Sequence, residues 1–409
     1  MGVQTDKEDS SPHSVMSSLK EMYKTKILPF EELTFFSRFG CGELSDSDFD
    51  SNPMVLLMGP YSSGKTTFIE NLIGRQYPGS KIGPEPTTDT FNAIMPGGED
   101  RIIPGNALVV TPNTPFHGLQ TFGNSFLTRF QGCYVSNCPF LTDITIIDTP
   151  GILSGKKQSN GRAYDFQKVL EWFVDRADMI ILLFDVQKID LSDEMATAVK
   201  CLGKHADKIR VVMNKSDSLS HQQLMKVYGA MQWSLGRIIT TPEVTKVYIG
   251  SFWSEPLKNQ ETNALIVQEM GDLMKDISML PKMGVVRKIN DMVKRLRLLR
   301  AQALLLDHLR GEMPGLFGKD KKQKALLDDL PSVFRSVMAQ HALSAGDFPD
   351  LDVFRKGLEG LDFKKIPKIK VDQKGIKDLN KALKVTIPDL LFRLPGAEDF
   401  QQGLNRGEK

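Results

Sequence analysis

Short apolar runs punctuate the middle of the chain, each closing on or leading into polar residues or glycine: MVLLMG from Met54, ITIID from Ile144, MIILLFD from Met179, IRVVMN from Ile209 and KVYIGSF from Lys246. Runs this short and continuous, alternating with amphipathic stretches, predict buried strands of a parallel sheet joined by crossover helices, hence one α/β domain over residues 51–256. After Pro256 the texture changes. Val286, Ile289, Met292, Val293, Leu296 and Leu299 mark one face of a long amphipathic helix between Val285 and Leu309, and no strand-like run follows. Ahead of the α/β domain, Val15, Met16, Leu19, Met22, Tyr23, Ile27 and Leu28 also recur at helical spacing, with Ser14 placed to cap that helix and Pro29 to stop it. Residues 14–50 and 257–395 are therefore expected to pack into one helical domain drawn from both ends of the chain, with 1–13 and 396–409 as tails.

At 409 residues, 41% hydrophobic and 25% charged, the chain can bury two cores and lacks the composition of a disordered protein. No apolar stretch approaches the roughly 18 residues of a membrane-spanning helix. The N-terminal MGVQTDKEDSSPHS is polar and has no apolar segment of a secretory signal, so a cytoplasmic protein is expected; Asp6 stands where the myristoylation pattern wants Ser or Thr. Cys41, Cys133, Cys138 and Cys201 are too scattered for a disulfide framework or a zinc site and read as reduced thiols. A formal net charge of +2 points to no class of partner, so local charge has to be read instead.

The first strand runs directly into Gly59-Pro60-Tyr61-Ser62-Ser63-Gly64-Lys65-Thr66, followed by the amphipathic FIENLI: the strand, glycine-rich loop and helix of a phosphate-binding loop. Backbone amides of such a loop converge on phosphate oxygens at a helix N-terminus. Lys65 is expected to reach the β- and γ-phosphates and the Thr66 hydroxyl to ligate Mg2+, with Thr67 completing the nucleotide-binding set. Asp148-Thr149-Pro150-Gly151 follows the strand ITII, putting the Asp148 carboxylate at the Mg2+ shell and the Gly151 amide near the γ-phosphate. Asn214, Lys215 and Asp217, after the strand IRVVM, form an Asn-Lys-x-Asp element that can hold a base. Between the loop and Asp148 lies Pro86-Thr87-Thr88-Asp89, a switch-like segment whose Thr88 would complete magnesium coordination and close over the γ-phosphate. Each piece alone is an ordinary turn or polar loop; in this order at strand ends they indicate a Mg2+-nucleotide hydrolase. Ile152 occupies the position where small GTPases place a water-orienting glutamine, which predicts slow intrinsic hydrolysis, with water positioned by Thr88 and backbone groups and turnover accelerated on assembly.

MGPYSSGKTTFIENLIG, IGPEPTTDTF, PGNALVV, IIDTPGILSG, YDFQKVLEWF, VVMNKSDSL, MKVYGAMQWSLG and YIGSFWSEPL together resemble the EHD family, the EH-domain-containing, dynamin-related ATPases. The similarity is dense from Pro53 to Leu257 and looser through EMPGLFGKDKK and SAGDFPDL. The resemblance implies a dynamin-like P-loop G domain with a parallel-type sheet, and ATP with Mg2+ rather than the GTP that Asn-Lys-x-Asp ordinarily suggests. It implies a membrane-remodelling ATPase in endocytic or endosomal traffic, peripheral on endosomal or plasma membrane, forming a homodimer and higher oligomers through the nucleotide-binding domain. It further implies Ser251 and Trp253 in the nucleotide pocket and Trp233 at the dimer interface, where the ordinary alternative is a core aromatic on a helix. The family's C-terminal EH domain, with its calcium loop, has no counterpart before Lys409, so binding of NPF-containing partners through it is not expected.

From Met283 to Leu326, eleven Lys or Arg stand against four Asp or Glu, a local charge of +7. Within this stretch Met313, Leu316 and Phe317 precede Lys319, Lys321, Lys322 and Lys324, an arrangement suited to wedging apolar side chains among anionic headgroups. The resemblance puts a membrane-contacting tip here; the alternative is a solvated loop with Phe317 tucked into the helices. A second lysine-rich stretch, Phe363 to Lys384, carries no assigned function. The interleaved aromatic platforms of a single-strand binder are absent, so nucleic acid is not an expected partner. Two further readings stay open: a nucleotide-gated scaffold resembling sarcalumenin, and a soluble GTPase whose helical region binds effectors.

Overall fold

The computed structural model describes residues 12–80, 90–112, 114–152, 164–188, 193–239, 245–314, 318–369 and 374–394. The chain divides into two compact units, Ser51–Gly284 and a unit made of Met1–Asp50 with Val285–Lys409.

The first unit is built on an eight-stranded sheet in the order β3-β4-β2-β5-β1-β6-β7-β8. In chain order the strands are β1 Met54–Met58, β2 Phe91–Pro96, β3 Arg101–Pro104, β4 Phe130–Val135, β5 Thr145–Asp148, β6 Met179–Asp185, β7 Ile209–Asn214 and β8 Val247–Ile249. β1 is buried along its whole length between β5 and β6, both parallel to it. Burial on both faces is why it reads as an unbroken apolar run. Val55 and Leu57 pack on one face with Phe68, Ile181 and Tyr248, while Leu56 and Met58 join Phe91, Phe173 and Leu182 on the other. The alternation of side chains along a strand thus divides the unit into two cores.

The sheet is mostly parallel, as the parallel-type reading expects, but mixed, and on its far half β2 and β4 also pair in parallel. β6, β7 and β8 continue in parallel, but β2 runs antiparallel to β5 and β3 antiparallel to β4. None of β2, β3 and β4 stands out as an apolar run: β2 carries Asn92, β4 carries Gln131 and Gly132, and β3 is a largely exposed edge strand ending in Pro104, a place where proline is tolerated. The expected boundary after Pro256 is also displaced. The helix Asn263–Gly311 begins inside the first unit, where Leu273, Ile277 and Leu280 pack with Tyr248 and Phe252, and only from Val285 does it belong to the second.

In the second unit the N-terminal segment is helix Pro12–Met22, a π-helical turn Tyr23–Ile27 and helix Leu28–Leu33. Ser14 therefore lies inside a helix and does not cap it. Pro29 does not stop the chain either: it sits in the first turn of Leu28–Leu33, where a missing N–H leaves no hydrogen bond unmade. Leu19, Tyr23, Ile27 and Phe30 pack with Ile289, Leu296, Leu299, Phe354 and Phe363, so the helix face read from 285–309 meets the N-terminal segment in one core. A buried fork fixes the register: Glu31 accepts from Arg295 Nε at 2.6 Å and Nη2 at 2.8 Å, and from the Tyr23 hydroxyl at 2.9 Å. With each Glu31 oxygen engaged, the desolvation of both charges is offset. Among the described residues no helix is long and apolar enough to cross a membrane.

Candidate nucleotide site

β1, β5, β6, β7 and β8 bring their carboxyl ends to one edge of the sheet, where open α/β sheets hold ligands. β1 hands over to residues 59–64 and then to helix Lys65–Ile73. The glycines here are steric necessities. A Cβ on Gly59 would stand 2.2 Å from the Leu183 carbonyl oxygen, and Gly64 adopts φ +92° with a Cβ position 2.6 Å from Asn214 Nδ2. The loop is tied to the segment after Asp148: Tyr61 N donates to Ile152 O at 3.0 Å and Ile152 N to Gly59 O at 3.2 Å, a short parallel bridge. Gly151 passes so close that a Cβ would lie 3.0 Å from Tyr61 Cα.

Lys65 is buried at the first turn of its helix, and its ammonium donates to the carbonyls of Gly59 at 3.2 Å and Pro60 at 3.1 Å. Burial lowers its pKa to about 8, opposed by the negative charge of Asp148. Asp148 is wholly enclosed at the end of β5, and burial raises its pKa to about 6, opposed by Lys65, by the Tyr77 hydroxyl, which donates to Oδ2 at 3.0 Å, and by the Asn92 side chain. Its other oxygen, Oδ1, and Ser63 Oγ are buried with no hydrogen-bond partner among the described residues. An unpaired buried polar atom costs on the order of 1–3 kcal/mol, so ordered water or a ligand that supplies partners is favoured here. Mg2+ with its waters beside Asp148 and Thr66, and a phosphate chain within the loop, fit those two atoms. No cluster of three His, Cys, Asp or Glu side chains is present among the described residues, and a magnesium shared between Thr66, a carboxylate and phosphate oxygens needs none.

Asn214 closes the site from the side of β7. Its Nδ2 donates to Ser63 O at 3.0 Å, and its Oδ1 accepts from Lys215 N at 2.9 Å and Phe252 N at 3.1 Å. Lys215, at φ +63°, extends Nζ to Ser62 O at 3.0 Å and to Asp185 Oδ2 at 2.6 Å, clamping the phosphate loop to the end of β6. Asp217 is buried and both its oxygens are engaged, Oδ1 by the Ser251 hydroxyl at 2.6 Å and Oδ2 by Lys258 N at 3.2 Å. Trp253 is half-buried beside it, with the Lys258 ammonium 4.8 Å from its ring centroid and the indole Nε1 without a partner among the described residues.

Residues expected at the site from sequence are thus brought together at Gly59, Tyr61, Ser62, Ser63, Gly64, Lys65, Thr66, Asp148, Gly151, Asn214, Lys215, Asp217, Ser251 and Trp253, with Thr67 half-buried in the same helical turn. Thr88 lies outside the described residues, as do Leu316 and Phe317. Asp185 and Tyr77 were not foreseen. Asp185 closes an apolar run as Asp148 does, a signal that could have found it; Tyr77 belongs to no motif. Away from the site, Trp233 is 74% exposed on helix His221–Gly236, with Met225 on the same helix 76% exposed, so the core-aromatic alternative does not hold. Lys319, Lys321 and Lys324 are exposed at the start of helix Lys319–Asp328; Lys322 is half-buried and paired with Glu312 at 2.9 Å, and Met313 packs against the helical core instead of standing free.

Comparison with known proteins agrees with this geometry. Residues 55–216 match the description "Dynamin family", 18–50 match "N-terminal EH-domain containing protein", and 283–391 match a domain of unknown function, DUF5600. EH domain-containing protein 1 of Homo sapiens is 50% identical over 364 residues, covering 89% of this chain and 68% of that protein. The chain belongs to the EH-domain-containing family. EH domain-containing protein 3 of Rattus norvegicus is 51% identical over 357 residues, covering 87% of this chain and 66% of that one. Among solved structures, an oligomerised bacterial dynamin pair aligns with 80% of this chain and 51% of its own at 12% identity and a TM-score of 0.42, too remote to carry an argument. This EHD chain is accordingly a dynamin-superfamily, nucleotide-hydrolysing P-loop enzyme.

Proposed function

We propose that this EHD chain is a slow, Mg2+-dependent ATPase whose turnover rises when it oligomerises on curved, anionic membranes, and that it remodels endosomal or plasma membrane as a peripheral protein in endocytic and endosomal traffic. What carries the reading is Ile152, which is 4% exposed, packed into the core and hydrogen-bonded through its backbone to the phosphate loop. No side chain at that position can polarise water, so catalysis depends on groups that assembly supplies or orders. Thr66, Thr88 and Asp148 would hold the magnesium, which neutralises charge on the phosphate oxygens. Lys65 exchanges its contacts with the Gly59 and Pro60 carbonyls for phosphate oxygens, the Gly151 amide donates to the γ-phosphate, and Asn214 holds the loop in place.

Adenine follows from the family resemblance. Asp217 accepts one bond at each oxygen, from the Ser251 hydroxyl and the Lys258 amide, and each oxygen keeps a further lone pair, so this carboxylate can serve either base. The Asn-Lys-x-Asp pattern favours GTP as the second reading. Trp233, exposed on its helix, suits a homodimer formed through the nucleotide-binding domain, and Lys319, Lys321 and Lys324, with Phe317 ahead of them, suit a lipid surface. Co-sedimentation with vesicles containing phosphatidylserine tests the membrane contact. Lys321→Ala with Lys324→Ala is expected to weaken binding by about 1 kcal/mol for each lysine removed, and unchanged binding would contradict it.

A further inference from the structure

Tyr77 lies in the loop after helix Lys65–Ile73, outside the phosphate-binding motifs. Its ring is 3% exposed and packs with Ile73, Ile94 and Cys133 in one core of the α/β unit. That packing carries the hydroxyl beneath the nucleotide site, where it donates to Asp148 Oδ2 at 3.0 Å and lies against the Thr66 hydroxyl. One phenol oxygen therefore touches both described side chains on which the magnesium reading rests. The two carboxylate oxygens of Asp148 have different surroundings: Oδ2 accepts from the phenol, the neighbouring Asn92 side chain also holds the carboxylate, and Oδ1 is buried without a hydrogen-bond partner among the described residues. Hydrogen bonding at Oδ2 favours one orientation of the carboxylate plane and so biases the direction of the unsatisfied oxygen.

We propose that Tyr77 is a positioning residue of the metal site: its hydroxyl fixes the Asp148 carboxylate so that Oδ1 faces the hydrated magnesium, and thereby sets how tightly this chain takes up Mg2+ with its nucleotide. The inference rests on the Mg2+-nucleotide reading of the site. Outer-shell partners of a metal ligand act in this way, by orienting it before the ion arrives.

The test is a Mg2+ titration of nucleotide binding, with the full chain and a fluorescent N-methylanthraniloyl-ATP, starting from EDTA. Tyr77→Phe keeps the ring in its core and removes the hydroxyl alone. The expected result is unchanged nucleotide affinity in EDTA and a Mg2+ midpoint raised about tenfold, the low end of what losing an outer-shell partner does to a metal site. In an Asp148→Asn background the same substitution is expected to add nothing, because Tyr77 acts through that carboxylate. An unmoved midpoint, a shift that persists in the Asp148→Asn background, or a loss of affinity already present in EDTA would each overturn the inference and leave Tyr77 a packing residue. If the parent chain itself binds the nucleotide without regard to Mg2+, the metal reading fails and takes this inference with it.

Discussion

A water-orienting side chain at position 152 would have to reach outward, and the local backbone forbids it. Ile152 gives its carbonyl to Tyr61 and takes the carbonyl of Gly59 with its own amide, so both of its backbone groups are locked to the phosphate loop while the side chain turns into the core. Restoring the glutamine of small GTPases is therefore expected to fail as a gain of function. Ile152→Gln buries an amide without partners and should lower stability by about 2 kcal/mol in urea unfolding, with no rise in single-turnover hydrolysis. Faster hydrolysis by this variant would mean that residue 152 does face the γ-phosphate. The same scale explains why Tyr77 escaped the sequence: a tyrosine in a polar loop carries no spacing signal, and only the packing of its ring against Ile94 and Cys133 brings the hydroxyl to Asp148.

At the scale of elements, the helix His221–Gly236 is capped by a reciprocal pair, Ser220 with Gln223, and leaves Met225 and Trp233 in solvent. Because Trp233 is exposed, removing it should cost the fold little, yet it presents the large rigid apolar surface that interfaces use. Trp233→Glu is expected to leave the circular-dichroism spectrum of the folded chain unchanged and to shift the chain from dimer to monomer in sedimentation velocity; the same sedimentation as the parent would remove Trp233 from the interface. How far the elements were legible follows from their burial. β1, β5, β6, β7 and β8 lie within or against the parallel part of the sheet and read as apolar runs, and the phosphate loop, Asp148 and Asn214 stand at their ends. β2 and β4 interrupt their apolar residues with Asn92, Gln131 and Gly132, and β3 is exposed, so no run betrays them. The unit boundary was missed because the helix Asn263–Gly311 runs unbroken across it, its apolar residues serving one core up to Leu280 and another from Val285. Pro29 misled because a proline reads as a stop even where, after a π-helical turn, it opens the next helix.

At the scale of the whole molecule, the two units hold different chemistry. Ser51–Gly284 carries the nucleotide site and Trp233, and the unit built from both ends of the chain carries the lysines of helix Lys319–Asp328. Neither unit has a reason on its own to link hydrolysis to lipid. The link is the central claim of the account, and nucleotide turnover by the purified full chain tests it most directly, comparing ATP with GTP, with and without anionic liposomes, and using Lys65→Ala as the blank. The account predicts slow ATP turnover in solution that rises on liposomes, little turnover of GTP, and none above background in the Lys65→Ala chain. Turnover that liposomes leave unchanged, or that GTP supports better than ATP, would contradict it.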